Sequence, residues 1–161
     1  METEAIDLFG TQREQAPAWW STDHWITPPE FVRTLEVEFG PFDLDPCCVP
    51  MSAKAPRFYT PTENGLLQPW TGRVWCNPPF SKPAPWIRRA IAATQDGGAE
   101  VVVMLLPVKT DTLWFHELVL PHAEVRFLRG RLAFHGWKGT PLTRARFPNM
   151  LAIFRSEHKA G

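Results

Sequence analysis

The spacing of hydrophobic and polar positions changes several times along the chain, and each change predicts an element. The run EVVVMLL at 100–106 is apolar at every position after its first residue. So short and continuous a run reads as a strand buried on both faces of a parallel sheet. Upstream, Arg73 to Cys76 reads as a strand and Pro85 to Thr94 as a helix ended by Gly97-Gly98. Strand, helix and strand in that order make a βαβ unit, with a right-handed crossover expected. Nearer the start, Thr27-Pro28-Pro29-Glu30 has the Thr-x-x-Glu spacing of a capping box, with proline at the first helical position. It predicts a helix over 28–38 with Phe31, Leu35 and Phe39 on its apolar side, stopped by Gly40-Pro41. Phe42-Asp43-Leu44-Asp45 then reads as a short strand ending at Asp45-Pro46.

Residues 47–72 are proline-rich, lack periodicity and carry a turn at Asn64-Gly65, so this stretch is expected to be mostly loop. After the buried run, a helix is predicted over 111–120 with Thr110-Asp111 as its N-cap and Trp114, Phe115 and Leu118 in the core. Strands are predicted at 124–128, 131–134 and 150–154, the last two closing around the loop 135–149. The sum is α/β: a three-layer sandwich on a mainly parallel sheet.

Length and composition narrow the possibilities. At 161 residues the chain has room for one domain, expected over 18–161, after an acidic, polar segment 1–17 expected to be mobile. No apolar run approaches the roughly 20 residues of a membrane span, and the first residues lack a signal-peptide core, so a soluble cytoplasmic protein is expected. Cys47, Cys48 and Cys76 are odd in number and form no CxxC pair, which argues against a disulfide framework or a zinc site. The formal net charge of zero hides a polarity: residues 1–45 hold ten acids against two basic residues, while residues 126–161 hold eight basic residues against one acid. An anionic partner such as nucleic acid becomes a candidate for the C-terminal face, beside the alternative of an ordinary solvated surface.

The candidate chemistry lies in VWCNPPFSKPAPW, residues 74–86. In an open α/β sheet ligands bind outside the carboxyl ends of the strands, which is where Asn77-Pro78-Pro79-Phe80 is expected. Proline fixes φ, and a residue before proline is held extended, so Asn77 and Pro78 are both conformationally locked. The Asn77 side-chain oxygen and the Pro78 carbonyl can then stand as two fixed acceptors. An exocyclic amine on a purine is a poor nucleophile because its lone pair is delocalised into the ring. Two acceptors taking its N–H bonds favour the pyramidal form, which exposes the lone pair. Phe80 offers a flat face for a base, worth about 1–3 kcal/mol per stacked ring.

Asn77-Pro78-Pro79-Phe80 is a form of the (Asp/Asn/Ser)-Pro-Pro-(Tyr/Phe) motif of amino-methyltransferases. With WITPPEF (25–31), FDLDPC (42–47), KAPRFYT (54–60), ENGLLQPWTGRVWCNPPFS (63–81), VVVMLLPVKTDTLWFH (101–116) and FLRGRLAF (127–134), the chain resembles the compact phage Dam-type DNA N6-adenine methyltransferases over about residues 20–154. The resemblance implies a Rossmann-like class I methyltransferase fold, S-adenosyl-L-methionine as cofactor, DNA as partner and a bacterial host cytoplasm as the place of action. It implies catalytic roles for Asn77, Pro78, Pro79 and Phe80, and cofactor contacts from Thr27, Pro28, Asp45, Pro46 and Asn64. No metal is required. Arg129, Arg131, Lys138, Arg144 and Arg146 are candidate phosphate or base contacts, and a base inside a duplex would have to be flipped from the stack.

The chain also departs from the usual methyltransferase pattern. Cys47-Cys48-Val49-Pro50 stands where a glycine-rich loop is expected, and only the 31 residues 46–76 separate Asp45 from Asn77. The cofactor cradle is therefore expected to be abbreviated. Two alternatives remain at this point: a protein-glutamine N5-methyltransferase, whose substrate amide needs the same two acceptors, and an inactive DNA-binding module of methyltransferase shape.

Overall fold

Six strands pair into one sheet: β1 (Leu44–Asp45), β2 (Arg57–Phe58), β3 (Gly72–Cys76), β4 (Ala99–Pro107), β5 (Glu124–Phe127) and β6 (Asn149–Arg155), in the order β2-β1-β3-β4-β6-β5. This is a computed structural model, and it describes residues 25–136 and 144–157. The expected mobile segment 1–17 lies outside the described residues. Strands β2, β1, β3 and β4 are parallel, and β6 runs antiparallel between β4 and β5.

The buried run forms β4, the longest strand, and its side chains alternate between two cores. Val102, Met104 and Leu106 join Val74 and Cys76 of β3 under helix α2 (Ala84–Gln95) and its buried Ile87, Ala90 and Ala93. Val101, Val103 and Leu105 join Trp75 on the opposite face, beneath α1 (Pro29–Phe39). Helices on both faces of a mainly parallel sheet make the expected three-layer, Rossmann-like α/β sandwich.

Several boundaries differ from the sequence expectation for identifiable reasons. The first helix begins at Pro29, not Pro28, because a residue that precedes proline is kept out of the helical region; Pro28 is extended, at φ −55° and ψ 127°. The capping box consequently does not form, since Thr27 falls one position too early and the N-cap has no side-chain hydrogen bond. Val32 replaces Phe31 among the buried positions of α1, beside Leu35 and Phe39. The strand expected over 42–45 is confined to Leu44–Asp45.

The helix expected over 111–120 is a shorter turn capped by Thr112, whose Oγ1 accepts from the Phe115 N–H at 3.3 Å, and not by Thr110 or Asp111. Phe115–Val119 is π-helical: the Leu120 N–H reaches the Phe115 carbonyl at 3.0 Å. Phe115 is buried as expected, Val119 shares the core with it, and Trp114 and Leu118 are only partly buried. Residues 131–134 form no strand. Their backbone leaves the sheet, His135 N–H pairing with the Ile26 carbonyl at 2.9 Å and Ala145 N–H with that of Leu132 at 3.0 Å, while Phe134 is fully buried on the α1 side.

The stretch 47–72 is the expected irregular connection. It contains only β2 and two 3-10 turns, Pro50–Ser52 and Gly65–Leu67. The second turn packs tightly against the end of β1, so that a Cβ on Gly65 would lie 1.9 Å from the Pro46 carbonyl oxygen. The Gly65 carbonyl in turn accepts the indole N–H of buried Trp70 at 2.8 Å. Gly65→Ala should therefore force backbone apart and lower stability by roughly 1–3 kcal/mol or more, read from the urea midpoint. An unchanged midpoint would show that this contact does not constrain the fold.

Candidate active site

Between the carboxyl ends of β1 and β3 the chain order switches direction, with β2 on one side of β1 and β3 on the other. Such a switch point opens a crevice in an α/β sheet. A cleft of about 360 Å³ occupies it, within the range of small-molecule cofactor sites. Thr27, Asp45, Pro46, Asn64, Asn77 and Pro79 all line it, so residues from four separate stretches of sequence meet there.

Asn77 leaves the end of β3, and its Nδ2 donates to the Trp25 carbonyl oxygen at 2.5 Å. A carbonyl can only accept, so the amide must turn its NH₂ group toward Trp25, which leaves Oδ1 as the end available to a ligand. The Trp25 backbone is itself held. The neighbouring Ile26 bridges to His135, and the Trp25 ring packs edge-on against Phe134 with centroids 5.6 Å apart. Pro78 is buried, and the Pro79 carbonyl takes the Lys82 N–H at 3.2 Å, closing the turn. Phe80 flanks the cleft instead of lining it, with its ring edge-on to Phe134 at 6.2 Å.

Asp45 is 2% exposed. Its carboxylate accepts the Lys54 N–H at 3.0 Å and the Cys47 N–H at 3.3 Å. Burial nevertheless outweighs these bonds and pushes its carboxyl up to about 6. The same burial, together with the Asp45 charge, raises the Cys47 and Cys48 thiols well above their ordinary range, so neither serves as a thiolate nucleophile. Thr27 is 2% exposed, and its hydroxyl has no hydrogen-bond partner among the described residues. An orphaned buried hydroxyl in a cleft wall is the kind of group that a ligand satisfies.

Other sequence candidates are placed differently. Pro28 is absent from the cleft wall and acts as the N-cap of α1. Asn64 does line the cleft, but its side-chain oxygen is committed to the Leu66 N–H at 3.2 Å, stabilising its own turn at φ 56°. Arg129, Arg131, Arg144 and Arg146 are all exposed, whereas Lys138 lies outside the described residues. Arg131 also has a local task, donating to the carbonyls of Ala145 and Arg146 at 3.3 and 2.8 Å. The sequence reasoning missed Trp25, Lys54, Thr60 and Trp86 as cleft residues. Trp25 and Lys54 open the WITPPEF and KAPRFYT blocks and Trp86 closes the stretch 74–86, so their positions in those blocks were the available signal.

Comparison with known proteins settles the lineage. The family profile described as DNA N-6-adenine-methyltransferase (Dam) matches residues 18–160. A DNA N-6-adenine-methyltransferase of Haemophilus phage HP1 is 34% identical over 143 residues, covering 86% of this chain and 82% of the relative. The chain belongs to the Dam family. An enzyme of the same name from Escherichia phage T1 is 33% identical over 113 residues, spanning 68% of this chain but only 46% of that longer protein. Among solved structures, a putative RNA methyltransferase from Pyrococcus horikoshii aligns at a TM-score of 0.42 and 16% identity, over 63% of this chain and 51% of that one.

The family implies a methyl donor, and the cleft has room and polar groups for a small molecule. It offers the unpartnered Thr27 hydroxyl and the buried Asp45 carboxylate, with the Trp75 and Trp86 side chains among its apolar walls. Asp45 also makes the fold pH-dependent. With its carboxyl raised from 3.8 to about 6, the folded chain binds this proton more tightly than the unfolded chain. The resulting stability is fully present below the unfolded value and is lost as pH rises through 6. Asp45→Asn should therefore gain stability relative to the parent chain by on the order of 3 kcal/mol between about pH 3.5 and pH 7, read from denaturant midpoints at each pH. A pH-independent difference would show that Asp45 does not titrate as a buried acid.

Proposed function

We propose that the chain transfers a methyl group from S-adenosylmethionine to the exocyclic N6 amine of adenine in DNA. The observation that carries this reading is the orientation of Asn77, whose NH₂ group is used by the Trp25 carbonyl so that Oδ1 remains as an acceptor at the cleft. Family membership favours a DNA amine over a protein glutamine as the acceptor of the methyl group.

S-adenosylmethionine supplies an electrophilic methyl group on a sulfonium. The protein's part is to present the amine. A flipped adenine, extruded at a cost of a few kcal/mol, places its N6 hydrogens on Asn77 Oδ1 and the Pro78 carbonyl. Both acceptors sit on a backbone that the two prolines make rigid, so little ordering remains to be done when the base arrives. The nitrogen lone pair is freed toward the methyl group; the N–C bond forms as the C–S bond breaks, and the cationic amine then loses its proton to water. Asn77 is uncharged and is no strong base, which fits proton loss after transfer. Phe80 supplies an aromatic face beside the cleft for the extruded ring.

The exposed arginines 129, 144 and 146 extend this reading to the DNA backbone. Their contacts carry no sequence information but fix the duplex over the cleft.

Asn77→Ala should reduce adenine methylation by roughly 10²-fold or more while costing the fold no more than the one hydrogen bond to Trp25, about 1–3 kcal/mol, because the prolines still set the turn. Tritium transfer from labelled S-adenosylmethionine to duplex DNA measures this. Wild-type transfer in the variant, or loss of the fold, would make Asn77 a structural residue. For the basic face, log affinity for DNA should fall linearly with log salt, and Arg144→Ala should reduce the slope by about 0.9. A slope untouched by the substitution would remove Arg144 from the interface.

A further inference from the structure

In an open α/β sheet an anionic ligand group commonly meets the N-terminus of the helix that follows a strand, where unpaired N–H groups and the helix dipole receive it. No such helix follows β1 here. The chain runs from Asp45 through the two cysteines and the single 3-10 turn Pro50–Ser52 before reaching β2. The backbone N–H groups of Cys47 and Lys54 are both donated to the Asp45 carboxylate and so are already engaged. A ligand carboxylate entering this part of the cleft therefore needs a side-chain cation.

Among the described residues lining the cleft, Lys54 is the single basic side chain and Asp45 the single acidic one. Lys54 is half-buried, and its Nζ donates to the Ser52 carbonyl at 2.8 Å. That bond anchors the ammonium and leaves two of its three hydrogens for a ligand. Asp45 and Lys54 lie close enough to influence each other electrostatically. A neighbouring anion and cation on one wall complement an α-amino acid, which carries its ammonium and carboxylate on a single carbon. Desolvation also disfavours the charged form of Lys54, so an arriving carboxylate would relieve a cost that the free protein carries.

We propose that Lys54 binds the α-carboxylate of S-adenosylmethionine, replacing the helix N-terminus that this abbreviated fold lacks after β1. The assignment rests on reading the cleft as the cofactor site. Asp45, beside it, faces the ammonium of the same amino-acid end.

The test compares S-adenosylmethionine with decarboxylated S-adenosylmethionine, which lacks only the carboxylate, by titration calorimetry on the full chain. The parent protein should prefer the carboxylated ligand by roughly tenfold or more, the range of a hydrogen bond between charged groups. Lys54→Met should bind both ligands equally, with the affinity the parent shows for the decarboxylated one, and Lys54→Arg should restore most of the preference. Any non-proline residue at 54 keeps the N–H that Asp45 accepts, and Lys54→Gln gives the same comparison if the methionine variant is poorly soluble. A preference that survives in Lys54→Met, or equal weakening of both ligands, would overturn the assignment. Binding of neither ligand by the parent protein would instead overturn the cofactor reading, and this assignment with it.

Discussion

The burial of β4 on both faces is the constraint on which the rest of this structure depends. Its side chains feed two separate cores, so the strand must lie inside a sheet covered by helices on either side. It is paired along one edge with β3 in parallel and along the other with β6 in antiparallel. Parallel pairing carries a further consequence: β1, β3 and β4 all end at the same edge of the sheet. The turn Asn77-Pro78-Pro79 and the carboxylate of Asp45 are thereby delivered to one crevice, although 31 residues separate Asp45 from Asn77 in the chain.

Inside that crevice the polar groups are set by a few unevenly matched hydrogen bonds. Asn77 is oriented because the Trp25 carbonyl can accept only from its NH₂ group. Asp45 spends its carboxylate on two backbone N–H groups and so shapes the loop that follows β1. Thr27, one residue too early to cap α1, is left with a buried hydroxyl that nothing in the described chain satisfies. The segment Trp25–Thr27 thus contributes all three of its residues to the cleft wall. It is in turn tied to the loop bearing the exposed arginines through the Ile26–His135 bridge and the Phe134 ring.

The charged groups of this protein divide according to their exposure. Arg126 bridges Glu38 and Glu124, and Arg155 also pairs with Glu124, on the rim near Phe39. These are surface contacts, each of which contributes little to stability. The cleft instead holds one acid and one base that are both partly or wholly withdrawn from water, where each charge matters more because less solvent screens it.

Much of this was legible in the residues themselves. The apolar run of β4, the glycine that ends α1 and the rigid Asn-Pro-Pro turn are local signals, and the elements they predict are present because local sterics and burial dictate them. The family blocks likewise led to the right lineage, and the short spacing between Asp45 and Asn77 foretold that no full helix separates β1 from β3. Signals that depend on distant partners could not be read in this way. The strand expected at 131–134 does not form: Leu132 accepts from Ala145, the adjoining His135 pairs with Ile26, and Phe134 is drawn to the α1 face. Lys54 and Trp86 lay in the stretches 54–60 and 74–86 but had no role assigned until the sheet order brought them to the cleft. The sequence alone determined which stretches are rigid and which are buried, since those follow from proline, glycine and hydrophobic spacing. Only the tertiary structure decided which polar atoms are already satisfied and which remain free for a ligand, because hydrogen-bond partners are chosen by proximity in space.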